Sequence, residues 1–238
     1  MSDTLVIIPT YNEIENIEKM IHTVFSLEKE FHVLVVDDNS PDKTAEKVKE
    51  LQSQYNDRLF LLERQGKQGL GTAYIAGFKY ALEKEYGYII EMDCDFSHNP
   101  KDLVYLYTAC KGGKGDVAVG SRYVKGGGFN NWPWERVLMS KFASYYVQMI
   151  LSLGVKDSTA GFVCYKKEVL QKIDFDNIKF IGYAFQIEMK FKSRNHGFKI
   201  TEVPIIFTDR VEGTSKMSGS IIKEAMFGVF SLRKFKKY

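Results

Sequence analysis

The sequence predicts a doubly wound α/β fold built on a mostly parallel sheet, and three observations predict it. Short β-branched runs recur that are apolar on both faces; helical segments lie between most of them; and polar clusters follow the ends of the runs. The first run is TLVIIP (4–9), the second HVLVVD (32–37), the third LFLLE (59–63), the fourth YIIEMD (88–93) and the fifth DVAVG (116–120). Between the first two, Ile14, Ile17, Ile21, Val24 and Phe25 keep helical spacing, with Asn12 as the expected N-cap and Glu15 three residues on. A second helix is expected from about Gly71 to Glu85, a third after Pro100, and another near Glu135. The run KFKSRNHGFK reads as the exposed end of a helix closed by Gly197.

Composition narrows the function classes. A chain of 238 residues with 45% hydrophobic content can bury a full core. Its formal charge of +3 sets 33 basic against 30 acidic residues, which gives no general case for nucleic-acid binding. Cys94, Cys110 and Cys164 are odd in number, far apart and without a CxxC pair, so neither a disulfide framework nor a zinc site is expected, and the chain reads as cytoplasmic. No apolar stretch approaches the roughly 18 residues that span a bilayer, so contact with a membrane would be peripheral.

Doubly wound sheets bind ligands beyond the carboxyl ends of their strands, and three clusters fall there: PTYNE (9–13), DDNSPD (37–42) and DCDFSHNP (93–100). Asp93 and Asp95 are read as facing opposite sides, one toward a divalent cation and the other toward a neighbouring hydroxyl or amide, with Ser97 as a weaker oxygen ligand. Carboxylate oxygens without clustered Cys or His suit Mg²⁺ or Mn²⁺, which complete their shells with water and substrate phosphates. The glycine-rich GKQGLGTAY (66–74) matches neither GxxxxGK[ST] nor GxGxxG and is expected to form either a loop and helix entry near the ligand, with Lys67 beside it, or a plain connecting loop. DCDFS fits a DxDx[ST] phosphotransferase string, but that motif belongs after a first strand and here follows the fourth.

Taken in order, IIPTYNE, VVDDNSPD, GLGTAYIAGF, MDCDFSHNP, GSRY, TAGF, EVPIIFTDR and GTSKMS resemble the inverting glycosyltransferases of family two over nearly the whole chain, most of all the dolichol-phosphate and polyprenol-phosphate mannose synthases. The resemblance implies a GT-A fold, a nucleotide-sugar donor, a divalent metal and a polyprenyl-phosphate acceptor. By position it implies that Pro9, Tyr11, Glu13, Val36 and Asp38 form the nucleotide pocket, Tyr11 and Val36 sandwiching base and ribose. It places Asp93, Cys94 and Asp95 on the metal-binding stretch, Arg122, Arg210 and Lys216 on the donor phosphates, and Arg136 near the acceptor phosphate. Asp95, Arg122 and Arg136 are the expected catalytic set. His98 is expected to be a loop residue beside the acids rather than a metal ligand, and stays a candidate for acceptor contact; FNNWPWER (129–136) either lines an entrance or is a packed loop. Val163 stands where the eukaryotic-type pattern has a basic residue.

The implied reaction is transfer of mannose from GDP-mannose to a polyprenyl phosphate with inversion. A UDP-glucose-dependent polyprenyl-phosphate glycosyltransferase and a non-catalytic nucleotide-sugar-binding subunit are the alternatives. Residues 1–219 are expected to form the transferase domain and 220–238 an amphipathic, basic C-terminal helix. That helix, ending in LRKFKKY, is expected to meet a membrane surface or a membrane-embedded partner subunit at the inner face of a membrane, the alternative being a final helix packed on the core with a solvated basic tail.

Overall fold

The computed structural model describes residues 2–55, 57–182, 184–209 and 228–233. In chain order the elements are β1 (Thr4–Thr10), α1 (Ile14–Phe25), β2 (His32–Asp37), α2 (Thr44–Gln52), β3 (Leu59–Glu63), α3 (Leu70–Glu83), β4 (Tyr88–Glu91), α4 (Leu103–Lys111), β5 (Val117–Ser121), β6 (Gly128–Asn130), α5 (Trp134–Leu151), β7 (Val163–Lys166), α6 (Lys167–Lys172), α7 (Ala184–Asn195), β8 (Ile200–Pro204) and β9 (Ile206–Thr208). One turn of 3₁₀ helix, Pro100–Asp102, leads into α4.

A seven-stranded sheet runs in the order β3-β2-β1-β4-β7-β5-β8, and β6 pairs with β9 in a separate two-stranded ribbon. All pairings in the large sheet are parallel except those of β7, which runs antiparallel to both β4 and β5. Alternate strand residues feed opposite layers, as the two-residue pleat requires. Val6, Ile8, Val33 and Val35 pack against α1, α2 and α4. Leu5, Ile7, Leu34 and Val36 pack against α3, α6 and α7. Chain order reverses at β1, between β2 and β4, and a crevice opens there at the carboxyl edge.

Several expectations needed correction. The first helix starts at Ile14 rather than after an Asn12 cap, because Asn12 is left-handed (φ 58°). Its first amides are capped from the next loop instead: Glu13 N–H donates to Thr44 Oγ1 and Ile14 N–H to Asp42 Oδ2, each at 3.0 Å. The fourth strand stops at Glu91, two residues early, and the acids lie in the turn that follows. Helix α7 does end at Gly197 (φ 84°), but its KFKS segment is internal: Lys190 and Ser193 are fully buried. The Lys190 ammonium is held there by donating to the carbonyl oxygens of Ala160 (2.6 Å) and Gln186 (3.1 Å). All three cysteines are buried free thiols. Most of the expected C-terminal helix lies outside the described residues; in its described part Val229 and Leu232 are buried against Val147 and Leu151, while Phe230 is exposed.

Candidate active site

The first acid of DDNSPD builds the crevice rather than facing it. Buried Asp37 accepts from Thr10 Oγ1 (2.7 Å), Ser40 Oγ (2.6 Å) and Ser40 N–H (2.8 Å), and Ser40 Oγ in turn accepts from Asn12 N–H. These bonds tie the ends of β1 and β2 together and set Asp38 at the edge. Asp38 receives Arg64 Nε at 2.6 Å, and Arg64 Nη1 donates to Thr72 Oγ1 at 2.8 Å, so the residue after β3 joins β2 to α3. Arg64 was not foreseen, although its place one residue beyond a third parallel strand is a readable signal. Lys67 sits 4.9 Å over the Tyr11 ring, which brings the glycine-rich loop against the expected nucleotide pocket. Two roles there are corrected. Val36 is fully buried in the core beside Leu34 and Ile7, so its side chain is not placed to stack on a base. Cys94 likewise turns its thiol into the core.

Asp93 and Asp95 part company because of the turn, not because of strand alternation, which would place residues two apart on one face. With β4 ended and Phe96 left-handed (φ 58°), Asp95 is buried and accepts Ser97 N–H at 3.0 Å. Asp93 keeps a third of its side chain exposed, lines a cavity of about 110 Å³, and accepts from Tyr74 hydroxyl at 3.3 Å. Ser97 and His98 line the same cavity. His98 Nδ1 accepts the Asp93 backbone N–H, and its ring stacks on Phe162 at 4.8 Å and meets Phe207 edge-on, so it braces the acids from behind.

The opposite wall is basic. Arg122 forks onto Asp157, Nε to Oδ2 at 2.7 Å and Nη2 to Oδ1 at 2.6 Å, with Nη2 also 3.0 Å from Thr159 Oγ1. Four rings, Tyr123, Phe129, Trp132 and Phe207, stand 5.4–5.9 Å from this guanidinium. Arg136 lies 4.1 Å over Trp132 and donates to Asp209 at 2.9 Å. FNNWPWER thus lines the cavity through Trp132 and Arg136. Strand β9 seats this wall on the acidic turn, since Thr208 N–H donates to Ser97 O and Asp209 N–H to Asn130 O. Arg210 and Lys216 lie outside the described residues.

Beneath the cavity, Glu91 and Lys190 are both fully buried. Burial pushes the Glu91 carboxyl up to about 8 against the pull of Lys190, and burial brings the Lys190 ammonium down to about 8 against the pull of Glu91. Asp157 and Gln186 carry no mark in the sequence; Thr159 opens TAGF, Glu91 is a charge within the fourth apolar run, and Lys190 falls in a run read as an exposed helix end, but none of the three is singled out there for the site.

The fold, with acids and arginines gathered at its carboxyl edge, defines a GT-A glycosyltransferase. The Glycosyl transferase family 2 model matches residues 5–174, and the chain belongs to that family. It is 48% identical over 226 residues to a polyprenol monophosphomannose synthase of Mycolicibacterium smegmatis, covering 95% of this chain and 85% of the relative. It is 43% identical over 225 residues to an undecaprenyl-phosphate mannosyltransferase of Micrococcus luteus, covering 94% and 91%. Among solved structures it resembles a glucosyl-3-phosphoglycerate synthase from Mycobacterium tuberculosis in complex with Mn²⁺, UDP and phosphoglyceric acid (TM-score 0.71, 16% identity, 98% and 79% covered). It also resembles a mannosyltransferase from Pyrobaculum calidifontis in complex with GDP-Man and Mn²⁺ (TM-score 0.63, 15% identity, 97% and 69% covered).

Proposed function

We propose that this chain transfers mannose from GDP-mannose to a polyprenyl phosphate with inversion, giving a polyprenyl phosphomannose. The observation that carries the reading is the 48% and 43% identity to two enzymes so named, over nearly the whole chain. The cavity supports it, because its acidic wall (Asp93) and its basic wall (Arg122, Arg136) suit a diphosphate held by a cation on one side and an acceptor phosphate on the other. The donor set fits Mg²⁺ or Mn²⁺. Asp93 and Asp95 offer hard oxygens, Ser97 a hydroxyl, and the Cys94 thiol points away. Among the described residues no three His, Cys, Asp or Glu cluster as a full cage, and such cations take their remaining ligands from water and phosphate. The bound cation would neutralise charge on the departing nucleoside diphosphate.

The chain's own groups then divide the remaining work. Tyr11, Glu13 and Asp38, with Pro9 at the end of β1, form the nucleotide side, Asp38 being held rigid by Arg64. Arg210 and Lys216 would add positive charge at the leaving diphosphate. Arg136 would hold the acceptor phosphate, and Arg122, fixed by Asp157, would present its free edge to the same oxygens. A phosphate acceptor is already anionic at neutral pH, so orientation matters more here than a general base. Because the acceptor is a lipid, the enzyme would work at a membrane surface from the cytoplasmic side; among the described residues no helix is long and apolar enough to cross a membrane.

The test is transfer by the purified full chain, supplied with GDP-mannose or UDP-glucose, a short polyprenyl phosphate, and Mg²⁺, Mn²⁺ or chelator. Metal-dependent formation of a mannosyl lipid from GDP-mannose is expected. Preference for UDP-glucose would move the donor assignment, and donor binding without transfer under every condition would favour a non-catalytic subunit.

A further inference from the structure

We propose that Gln186 reads the transferred sugar, its side-chain amide taking one hydroxyl and so helping to set which hexose is moved. Two side chains on the cavity wall carry buried polar atoms that have no hydrogen-bond partner among the described residues: Trp132 through Nε1, and Gln186 through both Oε1 and Nε2. Trp132 belongs to the arginine wall, under Arg136. Gln186 is 3% exposed, and folded proteins rarely bury a whole amide unpaired. Inward it approaches the Glu91 carboxyl without making a bond of good geometry, and that carboxyl is unpaired as well. The amide therefore keeps bonding capacity for a group in the cavity.

The frame around Gln186 fixes what that group must be. The residue lies in the first turn of α7. Next to it, Phe185 stacks on Tyr74 at 6.2 Å with the rings 7° from parallel, and the Tyr74 hydroxyl donates to Asp93. From the other side, Lys190 donates to both Gln186 O and Ala160 O, and the adjoining Thr159 Oγ1 accepts from Arg122. Gln186 is thus tied toward the acid on one side and toward the arginine on the other. Between a cation-held diphosphate and an acceptor phosphate the intervening group is the sugar in transfer, a step that rests on the nucleotide-sugar reading above. A neutral amide suits it. A hydroxyl both donates and accepts, as a carboxamide does, whereas a phosphate would call for a cation. Gly161 leaves room beside the amide, since a Cβ there would meet, among the described residues beyond its chain neighbours, only Gln186 Nε2, at 3.8 Å.

The experiment uses the full chain with Mn²⁺, GDP, GDP-mannose and the set of GDP-mannose analogues that each lack one sugar hydroxyl. Affinity is read by calorimetry, which needs no turnover, and kcat/KM with a short polyprenyl phosphate. Wild type should lose about tenfold or more in both on the analogue whose missing hydroxyl is the one Gln186 holds, because a site built to bond a hydroxyl is left with unpaired polar atoms. Gln186→Met keeps the side-chain bulk and removes both polar atoms. It should show that loss with GDP-mannose itself, no further loss on that one analogue, and unchanged affinity for GDP. Its thermal midpoint without ligand should equal or exceed that of wild type, since the amide bonds nothing well in the fold. Gly161→Ala, which the backbone tolerates, should likewise spare GDP and weaken GDP-mannose. Discrimination among the analogues by Gln186→Met like that of wild type, equal losses of GDP and GDP-mannose, or a midpoint lowered by several degrees would each overturn the proposal. A wild type that prefers UDP-glucose would move the donor assignment instead, and the same coupling would then be read on deoxy analogues of that sugar.

Discussion

Arg122 and Asp157 are locked in a two-pronged ion pair at 2.6 and 2.7 Å, with the arginine side chain 8% exposed and the aspartate fully buried. The same carboxylate also accepts the Arg122 backbone N–H at 2.9 Å. Asp157 is itself held by Glu202, which accepts its backbone N–H at 3.0 Å. The guanidinium is thereby kept in one orientation.

Removing one member of such a pair strands the other charge. Asp157→Ala should cost about 3–5 kcal/mol of stability by urea denaturation and abolish transfer. Arg122→Lys should cost less stability and still lose most activity, because an ammonium cannot reproduce the fork. Full activity in Arg122→Lys would show that transfer does not need the two-pronged guanidinium at this position.

The two acids of DCD should separate experimentally. Asp93→Asn alters a partly exposed cavity-lining group and should leave the thermal midpoint nearly unchanged while removing Mn²⁺-dependent donor binding, read by calorimetry with and without the metal. Asp95→Ala should also abolish transfer, but it leaves Ser97 N–H without its acceptor and should cost about 1 kcal/mol of stability. Metal-dependent donor binding by Asp93→Asn at the wild-type level would exclude this carboxylate as a ligand.

Arg64→Met should raise the donor KM and leave the acceptor KM unchanged, since it releases Asp38 on the nucleotide side and touches nothing on the Arg136 side. An equal rise in both would mean that the loop at 64–69 reports on the whole cavity.

The sheet edge was legible because parallel strands buried on both faces write continuous apolar runs, and the polar clusters that end them stand out: β1, β2 and β3 were each located to within a residue. Strand β7 was not, since four residues inserted antiparallel between β4 and β5 carry no period of their own and lie in a stretch noticed only for its TAGF and for Val163 as a departure from a family pattern. The same limit explains the misjudged side chains. Val36 and Asp38 sit two apart at a strand end, where the chain is leaving the pleat, and the sequence does not say that the first faces the core and the second Arg64. Lys190 looked like an exposed helix end because lysine usually is one; its burial depends on Ala160 and Glu91, which are distant in sequence.

Glu91 carries a prediction about pH. Its folded value is raised to about 8 from an ordinary 4.5, chiefly by burial, so between those values the folded state holds a proton that the unfolded state has released. Stability must therefore fall as pH rises through that window, by at most about 1.4 kcal/mol per pH unit. Lys190 acts in the opposite direction above it: its folded value is lowered to about 8 from 10.5, so between those values the unfolded state holds the extra proton and stability rises with pH. Wild type, measured with chelator present, should show a stability minimum near pH 8. Glu91→Gln should abolish the fall on the acid side and gain most over wild type near pH 8. In that variant Lys190 also loses its counter-charge, so the alkaline rise should begin at lower pH. Lys190→Met should instead flatten the alkaline side. Urea denaturation at about pH 5, 6.5, 8 and 9.5 would trace both limbs. A wild-type profile that stays level between pH 5 and 8 would mean that Glu91 is ionised in the folded protein, held by a closer partnership with Lys190 than their burial implies.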